Sequence, residues 1–247
     1  MDKYILETKD LIDESGKVAV MTGAGISAES GIQTFRGQQG LWNNFKPEEL
    51  ATPQAFWKDP KLVWEWYDWR RKTIGEAKPN PGHYALVELE DQKSNFNLIT
   101  QNVDGLHQIA GSKNVIEIHG NIWKIRCTKC GEIETNFDVP LKEIPPTCSK
   151  CGDMGRPNVV WFGEMIPMDV IDKSLNVIEE CDVLLIVGTS GIVEPAASMG
   201  IIAKEAGKKV VEINLEDTPS SHLYDIRIRK KSGEVLPLLC GSPEVLS

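Results

Sequence analysis

Short apolar runs alternate with longer amphipathic stretches along this chain, and the alternation predicts a parallel sheet clothed by helices. Residues 2–15 carry Ile5, Leu6, Leu11 and Ile12 at helical spacing among charges, which predicts a surface-packed helix. Lys17-Val18-Ala19-Val20-Met21-Thr22 then reads as a buried strand running straight into Gly23-Ala24-Gly25. Four further runs behave alike: 97–100 ends at Gln101-Asn102-Val103-Asp104, 115–118 at His119-Gly120, 182–187 at Gly188-Thr189-Ser190, and 209–213 at Asn214. Near-continuous apolar strands separated by helix-length segments describe an α/β sheet covered on both faces. Ligands bind such sheets beyond the carboxyl ends of the strands, and every one of these runs ends in small or polar residues.

Two stretches break the alternation. Residues 34–78 hold Trp42, Trp57, Trp64, Trp66 and Trp69 in helix-like segments. Residues 121–155 hold two cysteine pairs, two adjacent prolines and little apolar periodicity. Both read as insertions that together make a smaller domain, leaving 1–33, 79–120 and 156–247 for the sheet domain.

The second insertion carries the sharpest chemical signal. Cys127 and Cys130 form one C-x-x-C pair and Cys148 and Cys151 another, 17 residues apart, the spacing of a four-cysteine zinc ribbon. A two-residue gap lets two thiolates turn onto one ion, and tetrahedral zinc takes two such pairs. Four protein ligands leave no open coordination position, so one structural zinc ion is expected. Cys181 and Cys240 stand alone in apolar settings and read as buried core residues.

Gly23-Ala24-Gly25 is half of a dinucleotide fingerprint, in which glycines let the backbone approach a pyrophosphate at a helix start. The full pattern is not met: Ala28 stands at the third glycine position, and no acidic residue closes a second strand about 20 residues on. The other strand ends add to it. Gly188, Thr189 and Ser190 offer amide and hydroxyl donors, and Asn214-Leu215-Glu216 could read a ribose and an adenine, so the spread fits an extended ligand. His119, one of only four histidines, is either a satisfied structural residue or a general base at the sheet rim.

Composition narrows the partners. The 247 residues carry 27 basic and 36 acidic side chains, a net charge of -9, which disfavours nucleic acid and suits a basic substrate such as a lysine-rich segment. No apolar run is long enough to span a membrane, and the N-terminus has no export pattern, so a cytoplasmic location is expected.

Taken together, these segments resemble the sirtuins. The resemblance is carried by residues 23–32, by Thr34-Phe35-Arg36, by residues 100–107, by His119-Gly120, by the cysteine quartet, by Phe162-Gly163-Glu164 and by Gly188-Thr189-Ser190, in the family's order over almost the whole chain. It implies a Rossmann-type domain and a smaller domain, with NAD and an acyl-lysine peptide in the cleft between them. It also implies removal of the acyl group from lysine, with release of nicotinamide and O-acyl-ADP-ribose. On this likeness His119 is the general base acting on a ribose hydroxyl, and Asn102 and Asp104 shape the nicotinamide pocket. Gly23, Ala24, Gly25, Glu29, Phe35, Arg36, Trp42, Gln101 and Val103 are expected along the NAD path, with Gly188, Thr189, Ser190, Asn214, Leu215, Glu216 and Ser232 at its adenosine half. Val160, Trp161, Phe162, Gly163 and Glu164 are expected to pair with the peptide as an added strand.

The first insertion refines the substrate. Tyr67-Asp68-Trp69-Arg70 resembles the Tyr-x-x-Arg pair of class III sirtuins, which favour malonyl-, succinyl- or glutaryl-lysine. Arg70 could take a distal carboxylate bidentately and Tyr67 could add a hydrogen bond, while Ala51 leaves room for a longer acyl chain. Three apart, Tyr67 and Arg70 share a helix face, and Arg71 is expected to point elsewhere. Plain deacetylation, ADP-ribosyl transfer and NAD-responsive binding without catalysis are the competing functions.

Overall fold

The computed structural model describes residues 2–35, 40–41 and 46–240. Arg36 and Trp42 lie outside the described residues. The main sheet is wholly parallel, with strands β1 (Lys17–Thr22), β2 (Asn95–Thr100), β3 (Val115–Glu117), β7 (Val183–Val187), β8 (Lys209–Ile213) and β9 (Ile226–Ile228) in the spatial order β3-β2-β1-β7-β8-β9. The order reverses between β1 and β7, so a crevice opens where their carboxyl ends diverge. Five of these strands are the apolar runs of the sequence; β9, an edge strand of three residues, was not foreseen.

Period-two alternation sends the strand side chains to two separate cores. Val18 and Val20 of β1, with Val183, Leu185 and Val187 of β7, join one cluster with residues of helices α1 (Lys3–Glu14), α6 (Pro81–Gln92) and α10 (Ser232–Cys240). Ala19 and Met21, with Leu184 and Ile186, face α8 (Met168–Glu180) and α9 (Ala196–Glu205) on the other side. This double burial explains why the runs lack polar positions until the strand ends. Cys181 and Cys240 are buried, as their settings implied.

A third cluster lies apart from the sheet. It joins Phe56 of α4 (Pro53–Lys58) and Val63, Trp64, Tyr67 and Ile74 of α5 (Pro60–Gly75) to Ile122, Trp123 and Ile125 of β4 (Gly120–Cys127). Helix α5 starts where Pro60 follows Asp59, whose carboxylate accepts the Leu62 N–H at 3.0 Å. β4 pairs antiparallel with β5 (Ile133–Thr135) and with β6 (Gly155–Val159), and the Trp64 indole donates to the Gly155 carbonyl at 2.8 Å. That bond fixes the long helix against the cysteine-bearing sheet. Among the described residues no helix is long and apolar enough to cross a membrane.

Candidate active site

The ends of β1, β2, β7 and β8 open into one cleft of about 1220 Å³, well above the roughly 300–1,000 Å³ of a typical small-ligand pocket. Gly23, Ala24, Gly25, Glu29, Phe35, Gln101, Asn102, Val103 and His119 line it, as do Gly188, Thr189, Ser190, Asn214, Leu215, Glu216 and Ser232. Ala51, Tyr67, Arg70 and the whole of 160–164 line it too. Of the expected residues that are described, only Asp104 stands behind the wall.

The glycines at the floor have a cause in packing. A Cβ on Gly25 would stand 2.6 Å from the Gly188 Cα and 2.8 Å from its carbonyl oxygen, and one on Gly23 2.8 Å from that same oxygen. The Gly25 N–H donates to the Gly188 carbonyl at 2.8 Å. The two loops therefore touch backbone to backbone at the switch point, and Gly188 itself adopts a positive φ of 61°. Helix α2 (Ala24–Ala28), which starts in this loop, has only five residues.

Asn102 and Asp104 form one buried network. The Asn102 amide donates to the Gly23 carbonyl at 3.0 Å and to the Ser27 hydroxyl at 3.1 Å. Ser27 in turn donates to one Asp104 oxygen at 2.8 Å, and the Leu106 N–H donates to the other at 2.9 Å. Burial pushes the Asp104 carboxyl up from its ordinary value, while these bonds and the nearby Arg70 pull it back. Asp104 thus shapes the pocket through Ser27 and Asn102. Ser27, placed in the motif by sequence but given no role there, is the link between them.

His119 follows β3 with its Nδ1 3.1 Å from the Gln101 carbonyl oxygen. A carbonyl only accepts, so Nδ1 carries the proton and Nε2 is left with its lone pair. Burial, against the pull of the Gln101 carbonyl, lowers the imidazole from its ordinary value, which keeps the ring neutral and its Nε2 lone pair free at neutral pH.

At the β8 end of the cleft, Glu29 accepts from the Ser232 hydroxyl at 2.8 Å and the Gly233 N–H at 2.9 Å, which holds the start of α10 beside the loop after α2. The Asn214 amide donates to the Thr189 carbonyl at 2.7 Å, tying the β8 end to the β7 end. Sequence reasoning missed Lys230 and Lys231 here, and an apolar wall that includes Ile166, Met168, Ile171, Ile192 and Val193. A search for polar strand ends cannot see an apolar wall; its signal is that Ile192 and Met168 stay exposed at 54% and 67%.

The segment 160–164 is less open to strand addition than expected. The Val160 N–H donates to the His119 carbonyl at 2.9 Å, Phe162 to Ala51 at 3.0 Å, Trp161 to the Glu164 carboxylate at 2.9 Å and Glu164 to the Trp161 carbonyl at 3.0 Å. With these donors engaged, the Gly163 N–H and the carbonyls other than that of Trp161 are what the segment offers a peptide strand.

Tyr67 and Arg70 point into the cleft together, and Arg71 points away: its guanidinium donates to the Asn136 side chain at 2.5 Å and lies 5.2 Å from the Trp123 ring. Arg70 is 4% exposed and stacks at 5.1 Å on Phe35 and 5.9 Å on Trp66, with no hydrogen bond or ion pair among the described residues and only the longer-range attraction of Asp104. Burial brings its guanidinium down to about 10, so it remains a cation at neutral pH.

The four paired cysteines lie outside the cleft. Their sulfur atoms fall within 4.8 Å of one another, with Cys127 to Cys151 at 3.4 Å and Cys130 to Cys148 at 3.7 Å. A tetrahedron with zinc–sulfur bonds of about 2.3 Å has edges of about 3.8 Å, so the set fits one ion. Gly131 and Gly152 take positive φ of 74° and 76°, the turn that lets each pair double back.

The Sir2 family model matches residues 23–195, which spans the glycine loop, Asn102, His119, the cysteines and the Gly188 loop. The chain belongs to the Sir2 family. An Aquifex aeolicus relative named NAD-dependent protein deacylase is 56% identical over 219 residues, covering 89% of this chain and 92% of the relative. A crystal structure of a Sir2 homolog–NAD complex is 48% identical, with a TM-score of 0.90 over 100% of this chain and 96% of its own. A Sir2 structure with a deacetylated p53 peptide and 3′-O-acetyl ADP ribose is 33% identical, with a TM-score of 0.85 over 95% and 96% of the two chains.

Proposed function

We propose that this Sir2-family chain is an NAD-dependent protein lysine deacylase that favours acidic acyl groups such as succinyl, malonyl or glutaryl over acetyl. The general activity is supported by the deacylase name of its 56% identical relative and by a cleft large enough for a dinucleotide and an acyl-lysine together. The acyl preference rests on Arg70. A buried cation is costly unless paired, and this one lines the cleft with no ion pair among the described residues, the Asp104 carboxyl behind the wall acting on it only from farther off. A distal acyl carboxylate would supply that partner, with Tyr67 three residues away on the same helix face.

In the cleft, NAD supplies a ribose carbon able to take the acyl group once nicotinamide has left. Asn102, oriented by Thr100, Ser27 and Gly23, is placed to hold the nicotinamide end, with Asp104 setting Ser27 from behind. Ser190, Asn214, Glu216 and Ser232 are placed to hold the adenosine half. His119 takes a proton from a ribose hydroxyl at Nε2, its Nδ1–H held by Gln101. Ala51 and the segment from Val160 to Glu164 position the acyl-lysine. Cys127, Cys130, Cys148 and Cys151 would hold one zinc ion with no open coordination position, which would brace the small sheet outside the cleft.

Mass spectrometry of one succinyl-lysine peptide with and without NAD tests this reading. It expects free lysine, nicotinamide and O-succinyl-ADP-ribose in equal amounts, only with NAD. An unchanged peptide would leave an NAD-binding protein without this activity, and label transferred to the peptide would make it an ADP-ribosyl transferase.

A further inference from the structure

Between the acyl pocket and the peptide segment lies a hydrogen bond that neither reading so far uses. The Trp161 indole N–H donates to the Tyr67 hydroxyl oxygen at 2.8 Å. An indole nitrogen is a donor only, so the direction of this bond is fixed: Tyr67 accepts, and its own O–H proton is left to be given elsewhere. Among the described residues that proton has no acceptor, and Tyr67 lines the cleft beside Arg70.

The ring that makes this bond is itself held in place. The Arg156 guanidinium carbon lies 3.5 Å from the Trp161 ring centroid, and Arg156 is clamped to Glu164 through two contacts of 2.5 and 2.8 Å. Glu164 also accepts the Trp161 backbone N–H at 2.9 Å, and the Phe56 ring packs at 5.2 Å. Trp161 is 3% exposed, packed among these groups at the wall of the cleft. Burial also drives the Tyr67 phenol upward, which keeps it protonated as a donor throughout the neutral range.

We infer that Trp161 is a specificity-determining positioning residue: by occupying the acceptor side of Tyr67 it aims the phenol O–H, beside Arg70, at the far carboxylate of an acidic acyl chain. The inference rests on the acidic-acyl reading above. An acetyl group ends before it could reach such a donor, so losing the Trp161 bond should lower turnover of acidic acyl groups relative to acetyl, whatever it does to the rate both share. A residue that served packing alone would weaken both alike. The step involves recognition only; no covalent bond to substrate is made or broken by either side chain.

The test compares kcat/KM for succinyl- and acetyl-lysine in one peptide, for the wild type, Trp161→Phe, Tyr67→Phe, the double variant and Arg70→Met, with Tm for each. A second form of the protein carries 3-benzothienylalanine at 161, which keeps the bicyclic shape and replaces the N–H by sulfur, in case the phenylalanine disturbs folding. Because a charge-assisted hydrogen bond is roughly twice as strong as a neutral one, loss of the aimed O–H is expected to lower the succinyl-to-acetyl ratio about tenfold. Both replacements at 161 should do so, and neither should lower the ratio further once Tyr67 is phenylalanine. An unchanged ratio, or an equal drop in the Tyr67→Phe background, overturns the inference. If the wild type shows a preference that Arg70→Met abolishes while the 161 variants keep it, only the Trp161 role fails. If the wild type shows no acidic preference, the acyl reading fails and takes this inference with it.

Discussion

Replacing Arg70 with methionine removes a charge while keeping most of an unbranched stem, and the structure sets opposing expectations for selectivity and stability. Hydrogen bonds to charged groups contribute about 1.5–3 kcal/mol each. A guanidinium holding an acyl carboxylate by two of them, less the desolvation of that carboxylate, leaves about 3 kcal/mol of preference, or about 100-fold in rate ratio. In the ligand-free protein the balance differs. Arg70 is 4% exposed with no ion pair among the described residues, so its charge is a burden there, offset by the longer-range attraction of Asp104 and by stacking on Phe35 and Trp66. At such a desolvated site each stack contributes up to about 2 kcal/mol, comparable with the relief from removing a buried charge. Stability should therefore stay within about 1 kcal/mol of wild type, a Tm change of no more than about 2–4 °C. The assay is a single-tube competition between succinyl- and acetyl-lysine forms of one peptide, read by mass spectrometry at low conversion, with calorimetry of both proteins. A succinyl-to-acetyl ratio that stays put while Tm falls by many degrees would make Arg70 a core residue and refute the pocket.

Four further outcomes follow from the geometry. His119→Ala should lower turnover by about 10²–10⁴-fold, the usual contribution of a positioned base, with NAD affinity by calorimetry changed only a few-fold; near-normal turnover would remove the base role. Gly25→Ala places a Cβ 2.6 Å from the Gly188 backbone, which cannot yield, so urea unfolding should show a loss of about 2 kcal/mol or more; a fully stable variant would show that the loops can part. Metal analysis should find one zinc per chain, and stripping it with a chelator should lower Tm and free amide hydrogens of β4 and β6 to exchange; a metal-free protein of equal Tm would contradict the ribbon. His83 is fully buried, and burial brings its imidazole from 6.5 to about 4. The unfolded chain takes up this proton below pH 6.5 and the folded one does not, so its contribution is complete above that pH and is lost on acidification towards pH 4. Wild-type stability should fall by about 3 kcal/mol more than that of His83→Gln over this window; equal pH slopes would contradict the assignment.

Much of the sheet was legible because burial on both faces leaves no polar interruption, as in Val183–Val187, and because ligand sites in such sheets gather at strand ends. β9 escaped because Ile226–Ile228 is three residues long, alternates with Arg227 and sits between Asp225 and Arg229. The cysteines were legible because ligand spacing follows from tetrahedral geometry alone. The site was legible as a location more than as a mechanism. Nothing local marks Asp104 as lying behind the wall; its place comes from Ser27, 77 positions away in sequence. The glycine loop was read for a pyrophosphate, whereas the contact that requires glycine is with Gly188, a long-range pairing that a linear pattern does not display. Arg70 and Arg71 look alike in sequence, and only the rotation of α5 sends one to the cleft and the other to Asn136.

The most direct measurement of the central claim is kcat/KM on one peptide carrying acetyl-, malonyl-, succinyl- or glutaryl-lysine, with and without NAD. The account predicts turnover only with NAD, at least one acidic acyl group leaving well ahead of acetyl, and O-acyl-ADP-ribose as the acyl product. Acetyl removed as fast as every acidic group would contradict the role given to Tyr67 and Arg70, and turnover without NAD would contradict the account as a whole.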